Sequence, residues 1–326
     1  MRARFAIVDR LGTLILALGL VVLTTGVSAE ELEVYGRVNV TVQSSDEAVE
    51  DQTEFKNNAS RVGVKGELPL DGGLKAIYQL EFGVDIDGDS EDDDHITPRN
   101  QFVGLTGGFG TIKLGRHDTA LKEAQGDFDL FNDLEGDITS TFNGENRLTD
   151  YIAYITPTFA EAFSATVNFF PGEDAAAGED GVGDRTSVSL VYETDVIYAA
   201  VAQDFDVDGE GVDTTRLVGG YTFGPAQLML LYQMTDAGSI DEDGFGVSLA
   251  YTFGKNVAKL QYLTADIWRI DSQTDPIDNL LESQLSVGLD HKLGESTQVF
   301  AFYTTGDIGG TSESNNYAAL GIEHRF

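Results

Sequence analysis

The sequence predicts an all-β fold, a transmembrane antiparallel β-barrel of about sixteen strands. Apolar residues alternate with polar or charged residues along most of the chain, as they do in strands whose two faces meet different surroundings. Short turns alternate with long acidic connections. The final stretch, YAALGIEHRF, is itself strand-like and runs to Phe326. Such a strand needs a neighbour at each edge, which a closed sheet supplies.

The first 29 residues have the pattern of a secretory signal peptide. Arg2, Arg4 and Arg10 precede or flank the apolar run LILALGLVVL, which the small residues GVSA follow. The run is too short to span a bilayer comfortably as a helix. We therefore expect cleavage after residue 29, leaving residues 30–326 as one barrel domain.

Alternation with a period of two predicts each strand in turn. In LKAIYQLEFGV, Leu74, Tyr78 and Phe82 share one face, and Lys75 and Glu81 share the other. The strands predicted in this way are 32–43, 59–69, 73–85, 98–106, 109–116, 147–157, 162–170, 184–194, 196–206, 213–223, 225–235, 243–253, 256–267, 281–292, 295–305 and 316–326.

The connections between these strands are of two kinds. LDGG, TFGP, TFGK and KLGE are short, whereas SSDEAVEDQTEFKNN (44–58) and DIDGDSEDDDHIT (85–97) are long and acidic. Short turns at one end and long loops at the other are typical of a transmembrane barrel. In hydrocarbon every backbone N–H and C=O must be paired, and a closed sheet does this. A soluble β-sandwich is the alternative, but it would carry fewer polar residues on one strand face.

Composition excludes several classes of protein. The chain has 20 Lys and Arg against 55 Asp and Glu, a formal net charge of −35, so nucleic acid is not an expected partner. It has no cysteine, so the exported protein would hold itself together without disulfides. No apolar run after residue 29 approaches the roughly 20 residues of a transmembrane helix.

Several stretches resemble one family, the general diffusion porins of the Gram-negative outer membrane. VYGRVNVTV is similar to their first strand, ASRVGVKGEL and GGLKAIYQLEFGVD to the next pair, and RNQFVGLTGGFGTIKLGR, the most specific, to the fourth and fifth. ENRLTDYIAYITPTFAEAFSATVNF resembles the sixth and seventh strands. GIEHRF, ending at Phe326, resembles the signal read by the barrel-assembly machinery.

This resemblance implies a homotrimer in the cell outer membrane that passes small hydrophilic solutes and cations by diffusion. It also implies that the third long loop, His117–Asn146, folds inward and narrows a water-filled pore. A loop of this length needs a functional reason. Its stretch TALKEAQGDFDLFND looks helical, with Asp118 or Thr119 as the cap.

A pore of this kind needs opposed charges at its constriction rather than catalytic residues. Strand parity and family motifs together predict the basic side as Arg61, Arg99, Arg147, Lys65 and Lys75, with Arg37, Lys113 and Arg116 as weaker candidates. The acidic side is predicted on the loop, at Glu123, Asp127, Asp129, Asp133, Glu135 and Asp137. The loop departs from the family in lacking a PEFGG-like turn, where DLFNDLEGD stands instead.

The acidic balance predicts a preference for cations that weakens as salt rises. Acidic external loops also suggest weak binding of Ca²⁺ or Mg²⁺ and contact with lipopolysaccharide. Asp204, Asp206, Asp208 and Gly209 match a calcium loop in part, but Thr215 stands where it needs glutamate. No dedicated metal site or cofactor is expected.

Three alternatives remain open at this point. A substrate-specific outer-membrane channel is one, and a structural or adhesin barrel with a plugged lumen is another. A barrel hydrolase is the third, but the four histidines offer no defensible nucleophile and base, so we expect no enzyme.

Overall fold

The computed structural model describes residues 31–47, 51–88, 95–172, 181–238, 241–266, 281–309 and 311–326. The predicted signal peptide lies outside these residues, so its boundary stays a prediction. The described part of the chain holds no helix with the length and apolar character needed to cross a membrane.

Seventeen strand segments lie in the described ranges, and all belong to one antiparallel sheet. They are β1 (Glu31–Asp46), β2 (Asp51–Asn57), β3 (Arg61–Pro69), β4 (Lys75–Val84), β5 (Ile96–Gly107), β6 (Gly110–Asp118), β7 (Arg147–Ile155), β8 (Phe163–Phe170), β9 (Arg185–Glu193), β10 (Ile197–Phe205), β11 (Asp213–Phe223), β12 (Ala226–Asp236), β13 (Asp241–Phe253), β14 (Asn256–Ala265), β15 (Leu281–Lys292), β16 (Thr297–Ile308) and β17 (Ser314–Arg325). One short helix, α1 (Ala120–Glu123), and two 3₁₀ turns, Asp71–Gly73 and Ile138–Ser140, accompany them.

The segments β2 and β3 together form one interrupted strand of the barrel, so the barrel has sixteen strands in total. Both pair with β1, and they are separated by an irregular stretch in which Ala59 has a φ of 50°. Across this irregularity Asn58 donates its backbone N–H to the carbonyl of Asn39 at 2.8 Å. The predicted loop 44–58 is therefore wrong over most of its length, because β1 reaches Asp46 and β2 begins at Asp51.

The sheet closes through β1 and β17. Arg37 pairs with Arg325, and the register continues to Asp46 opposite Asn316. Beyond this ladder Gly36 and Phe326 exchange both backbone hydrogen bonds, at 2.9 and 3.1 Å. The Phe326 ring lies so close over Gly36 that a Cβ on Gly36 would be 2.3 Å from it. The last residue of the chain thus belongs to the closing pair, as the sequence predicts.

The two faces of the strands differ in the way a membrane barrel requires. On β12 the outer row comprises Leu228, Leu230, Tyr232 and Met234, all 37–46% exposed, and the buried inner row comprises Met229, Leu231, Gln233 and Thr235. On β1 the buried inner row is polar throughout: Asn39, Thr41, Gln43 and Ser45. Apolar side chains outward and polar side chains inward are what a barrel in lipid presents.

Short turns join the strands at one end of the barrel. The β11–β12 and β13–β14 turns contain Gly224 and Gly254, each with a φ of 61°, a conformation that glycine adopts without strain. Just before Gly224, Tyr221 and Phe223 stack at 6.1 Å between ring centroids. Amphipathic aromatic residues of this kind mark the membrane interface of barrels.

Candidate functional site

The longest irregular connection is residues 119–146, called here the β6–β7 segment. It opens with α1, which Thr119 caps by accepting the N–H of Lys122 at 3.2 Å. Asn168 on β8 accepts the N–H of Ala120 at 2.6 Å. The prediction of a long helix here is wrong, because α1 is a single turn. Of the two predicted caps, Asp118 and Thr119, Thr119 is the one that caps it.

One side of the β6–β7 segment packs against the inner rows of β10–β14. Phe128, Ile138 and Phe142 are almost wholly buried, at 0, 0 and 3% exposure. The cluster comprises Leu121, Ala124, Phe128, Ile138 and Phe142 of the segment with Ala200, Ala202, Val218, Met229, Leu231 and Leu263 of the wall. The segment and these wall residues are therefore closely packed, and burial of their apolar side chains holds the segment against the wall.

A second apolar contact reaches the closing strands. Phe131 is fully buried against Phe300 and Phe302 of β16 and Tyr317 of β17. The ammonium group of Lys259 lies 4.8 Å from the centre of the Phe131 ring, a cation–π arrangement. The two apolar contacts fix the segment to wall strands from β10 around to β17.

Polar anchors hold the segment from the same walls. Arg216 on β11 is fully buried and bonds Glu145 at 2.6 Å, the carbonyl of Asn143 at 3.0 Å and the amide oxygen of Gln233 at 2.8 Å. Each of the three guanidinium nitrogens therefore meets an acceptor, which makes a buried charge tolerable.

Gln261 on β14 bridges three points of the segment. Its amide oxygen accepts the N–H of Leu130 at 2.8 Å, and its amide nitrogen donates to Asp129 at 3.1 Å and to the carbonyl of Gly136 at 2.9 Å. Further round the wall, Gln284 donates to the carbonyl of Glu135 at 2.9 Å.

The tip of the segment forms ion pairs with basic residues of β1, β2 and β3. Asp133 lies 2.5 Å from Arg37 on β1 and 3.5 Å from Arg61 on β3. Glu135 pairs with Lys56 on β2. The segment thus contacts the wall at β1–β3 through ion pairs and at β10–β17 through apolar contacts, amide hydrogen bonds and the Arg216–Glu145 ion pair.

Arg99 and Arg147, the other two arginines predicted by family motif, are each paired with a carboxylate. Arg99 on β5 bonds Glu81 on β4 at 2.8 Å, and Glu81 also accepts the hydroxyl of Tyr35 at 3.0 Å. Arg147 on β7 lies 3.0 Å from Asp118. These pairs fix the guanidinium groups in place while leaving about 15 and 18% of the Arg99 and Arg147 side chains exposed.

These groups surround a cavity of about 720 Å³ between the segment and the inner rows of β3–β7. Its charged lining consists of four basic residues, Arg61, Arg99, Lys122 and Arg147, and seven acidic ones, Glu81, Asp118, Glu123, Asp129, Asp133, Asp137 and Glu145. We call this space the charged cavity. It brings together three predicted basic residues and four of the six predicted loop carboxylates.

Four of the predicted site residues are placed elsewhere. Lys65 pairs with Glu33 at 3.2 Å and Lys75 with Glu67 at 2.6 Å, and the lining described for the charged cavity includes neither lysine. Asp127 lies within 3.5 Å of Gln227 on the β12 wall. Glu135 pairs with Lys56, as described above.

The sequence does not predict four of the charged lining residues, Glu81, Asp118, Lys122 and Glu145. Glu81 shares its strand face with Lys75 in the alternation of β4, so parity alone gives a signal for it. Asp118 was considered only as a helix cap. Lys122 and Glu145 lie in the long loop, where residue order gives no register, so only the folded contacts reveal them.

Several segment carboxyls have a raised pKa. Burial, and then the nearby Asp137 carboxylate, raise the pKa of Asp129 well above its usual range. Burial also raises the pKa of Asp137 and of Glu145, although Arg216 pulls the pKa of Glu145 down. The N–H of Asp133, whose φ is 66°, donates to Asp137 at 2.7 Å. The cost of removing these carboxylates from water thus exceeds what their partners return.

The partial calcium-loop pattern does not assemble a cation site in the described residues. Asp206 accepts the N–H of Gly211 at 2.6 Å, and Asp208 accepts the amide of Asn146 at 2.8 Å. No group of three or more His, Cys, Asp or Glu side chains disposed to hold a metal occurs within the ranges that the structure describes.

A closed antiparallel barrel with an apolar exterior and a charged, polar interior defines a transmembrane channel of the β-barrel class. The chain belongs to the Gram-negative porin family, which matches residues 16–311. It is therefore a porin of the outer membrane and not an enzyme, and the predictions of fold class, family and location are confirmed.

Individual relatives agree with this assignment. The chain is 26% identical over 313 residues to the major outer membrane protein P.IB of Neisseria gonorrhoeae, covering 85% of this chain and 87% of that protein. An anion-selective porin from Comamonas acidovorans has a TM-score of 0.72 at 21% identity, covering 91% of this chain and all of that one. Salmonella typhi OmpF, in complex with daunomycin, gives 0.73 at 16% identity, covering 91 and 98% of the two chains.

Proposed function

We propose that this porin is a general diffusion channel in which the β6–β7 segment crosses the lumen and narrows a water-filled pore that prefers cations. One observation carries the constriction. Asp133 of the segment pairs with Arg37 on β1, while Glu145 of the same segment pairs with Arg216 on β11. These two wall regions are seven strands apart by the shorter way round the closed sheet, so a segment tied to both stands across the space between them.

The charged cavity is the proposed constriction. Arg61, Arg99 and Arg147 line it from the barrel wall, and Glu123 and Asp129 line it from the segment. Charges of opposite sign on facing walls create a field across the path of a solute. Hydrated ions and dipolar solutes interact favourably with that field. Large apolar solutes gain no such interaction energy to offset the cost of entering a narrow, water-filled pore.

Cation preference follows from the number of charges on the lining. Seven carboxyls face four basic groups in the charged cavity. This excess holds while the carboxyls are ionised; burial raises the pKa of Asp129, Asp137, Glu145 and Glu123, that of Glu123 to about 7, so the excess shrinks as pH falls. Next to it, a cavity of about 730 Å³ is lined by four acids, Glu123, Asp127, Glu193 and Asp195, with no base among its described lining residues.

The sign of selectivity is not a property of the fold. The Comamonas acidovorans protein shares the barrel and is described as anion-selective. The lining residues must therefore decide which ions pass, and in this chain they are mostly acidic. We further propose that the barrel assembles as a homotrimer and is inserted by the barrel-assembly machinery through the Phe326 end. Its acidic external loops contact the anionic lipopolysaccharide through bridging Ca²⁺ or Mg²⁺ ions.

Cysteine labelling tests the constriction directly, because the native chain has no cysteine. Asn132 is an exposed residue of the segment that lines the charged cavity. The Asn132→Cys variant, refolded into planar bilayers, should lose single-channel conductance when a trimethylammonium-ethyl methanethiosulfonate reagent reacts with it, and its cation preference should fall. The matched control is Asp71→Cys in an exposed short turn.

The unmodified protein provides the test of selectivity. Its reversal potential in a tenfold KCl gradient should have the sign of a cation-selective pore, and the preference should diminish as total salt rises. Labelling at Asn132 that leaves conductance at the level of the Asp71 control would reject the constriction. A reversal potential of anion-selective sign would reject the assigned charge preference while leaving the constriction intact.

A further inference from the structure

Two glycines of β13 lie directly beneath aromatic rings of the β6–β7 segment. A Cβ on Gly246 would lie 2.4 Å from the Cζ atom of Phe128, and a Cβ on Gly244 would lie 2.2 Å from the Cε1 atom of Phe142. Carbon atoms in ordinary contact are about 3.5–4.0 Å apart. The two rings therefore occupy the space that side chains of β13 would otherwise fill.

The backbone does not require glycine at these positions. Both residues lie inside β13 and pair regularly with β12 and β14: Gly244 faces Gln233 and Ala265, and Gly246 faces Leu231 and Leu263. Since the strand conformation suits any residue, the absence of a side chain is explained by the rings that pack there.

A third glycine repeats the arrangement on β15. A Cβ on Gly288 would lie 2.9 Å from the Cε1 atom of Phe131. Phe128, Phe131 and Phe142 are the aromatic residues that anchor the two apolar contacts of the segment, and they are 0, 0 and 3% exposed. Each therefore sits over a wall glycine.

We infer that Gly244, Gly246 and Gly288 are positioning residues for the pore. Because they have no side chain, the three rings pack directly against the wall backbone. The distance between ring and backbone sets how far the segment lies from β13 and β15. The opposite edge of the segment lines the charged cavity. If the rings lie farther from the wall backbone, that edge moves towards Arg61 and Arg99. This inference rests on the proposed constriction.

The expected change follows from the distances. Bringing a methyl group at residue 246 to ordinary contact requires the Phe128 ring to retreat by roughly 1 Å. Because the segment is tied at both ends by Thr119 and by the Arg216–Glu145 pair, the retreat moves the middle of the segment into the cavity. We expect Gly246→Ala to lower single-channel conductance.

The matched control is Gly219→Ala on β11. Gly219 is exposed on the outer row and has no heavy atom within 4 Å of a Cβ built on it. A combined variant, Gly246→Ala with Phe128→Leu, replaces the ring that meets the new methyl group by a shorter side chain. It should restore conductance towards the native value. Gly288→Ala, where the contact is less severe, serves if Gly246→Ala does not refold.

The readout is single-channel conductance of refolded protein, with the folded state checked by electrophoretic mobility before and after heating. Lower conductance in Gly246→Ala or Gly288→Ala, recovery in the combined variant and no change in Gly219→Ala would support the assignment. Conductance that stays unchanged or rises in both Gly246→Ala and Gly288→Ala overturns the assignment. If Asn132→Cys labelling still reduces conductance in that case, only the role of the glycines fails; if labelling also has no effect, the constriction itself fails.

Discussion

The buried pair between Arg216 and Glu145 allows a quantitative prediction about the β6–β7 segment. The Arg216→Met variant replaces the guanidinium by an apolar side chain of similar length. It removes the 2.6 Å ion pair, together with bonds to the carbonyl of Asn143 and the amide of Gln233. Glu145, with only 5% of its side chain exposed, then loses its short ion pair and keeps a longer contact, 4.0 Å, with the ammonium group of Lys122.

The magnitude follows from burial. Removing one member of a buried ion pair costs about 3–5 kcal/mol, because the remaining charge loses its compensation. Arg216 belongs to the barrel wall, whose ladder is intact without it, whereas Glu145 belongs to the segment. The cost therefore falls mainly on docking of the segment. It corresponds to a loss of between roughly a hundredfold and a few thousandfold in the ratio of docked to undocked forms.

Single-channel recording and limited proteolysis measure this loss. Arg216→Met should show larger and noisier openings and faster protease cleavage within residues 119–146, with the heat stability of the barrel little changed. The double variant Arg216→Met with Glu145→Gln removes both charges and should recover much of the native behaviour, since their coupling is then absent. Native conductance and native protease resistance in Arg216→Met would refute the reasoning.

Three further predictions concern charge, pH and closure. Arg61→Ala and Arg99→Ala should each raise cation preference by removing positive charge from the cavity, and unchanged reversal potentials in both would contradict this. Burial and Asp137 raise the pKa of Asp129, so its ionised form opposes packing of the segment above that raised pKa, and the opposition is lost as pH falls through it. Cation preference should therefore drop at a pH above the usual aspartate value of about 3.9, where Glu123, Asp137 and Glu145 also titrate because their pKa values are raised. Asp129→Asn should reduce the size of that drop in a reversal-potential titration. Phe326→Ala should lower the folded fraction on refolding, scored by gel mobility; an equal yield would count against a role for the ring.

Most strands could be predicted because one face of each strand meets lipid and the other meets water, so apolar and polar residues alternate with a period of two. In β1 the exposed Val38 and Val42 alternate with the buried Asn39, Thr41 and Gln43, and this contrast between apolar and polar residues is visible in the sequence. The prediction failed at β2, where Asp51 and Thr53 share the outer parity of Phe55. A strand with polar residues on both faces carries no alternation to detect, so it resembles a loop.

The β6–β7 segment was less predictable than the wall. Its helical pattern around Leu121 and Phe128 reflects apolar contacts with the barrel rather than a continuous helix. Gly126, with a φ of 56°, turns the chain soon after α1 ends. The apolar residues then reach different wall strands, which only the tertiary arrangement determines.

The candidate site was predicted where motif and parity coincided, at Arg61, Arg99 and Arg147. Parity alone placed Lys65 and Lys75 on the inner face, but it contains no information on height along the barrel. The contacts of both lysines are with Glu33 and Glu67, outside the described cavity lining. The roles of all these residues in conduction stay predictions until the variants are measured.

Closure through Gly36 and Phe326 has a kinetic consequence. The ion pair beside it, Arg37 with Glu323, joins residues 286 positions apart, so this junction cannot form until almost the whole chain is available. Until then two unpaired strand edges remain, and each can add a strand from another chain. A truncation within the last strand would consequently produce an open, association-prone sheet rather than a slightly smaller pore, and its yield would fall as protein concentration rises.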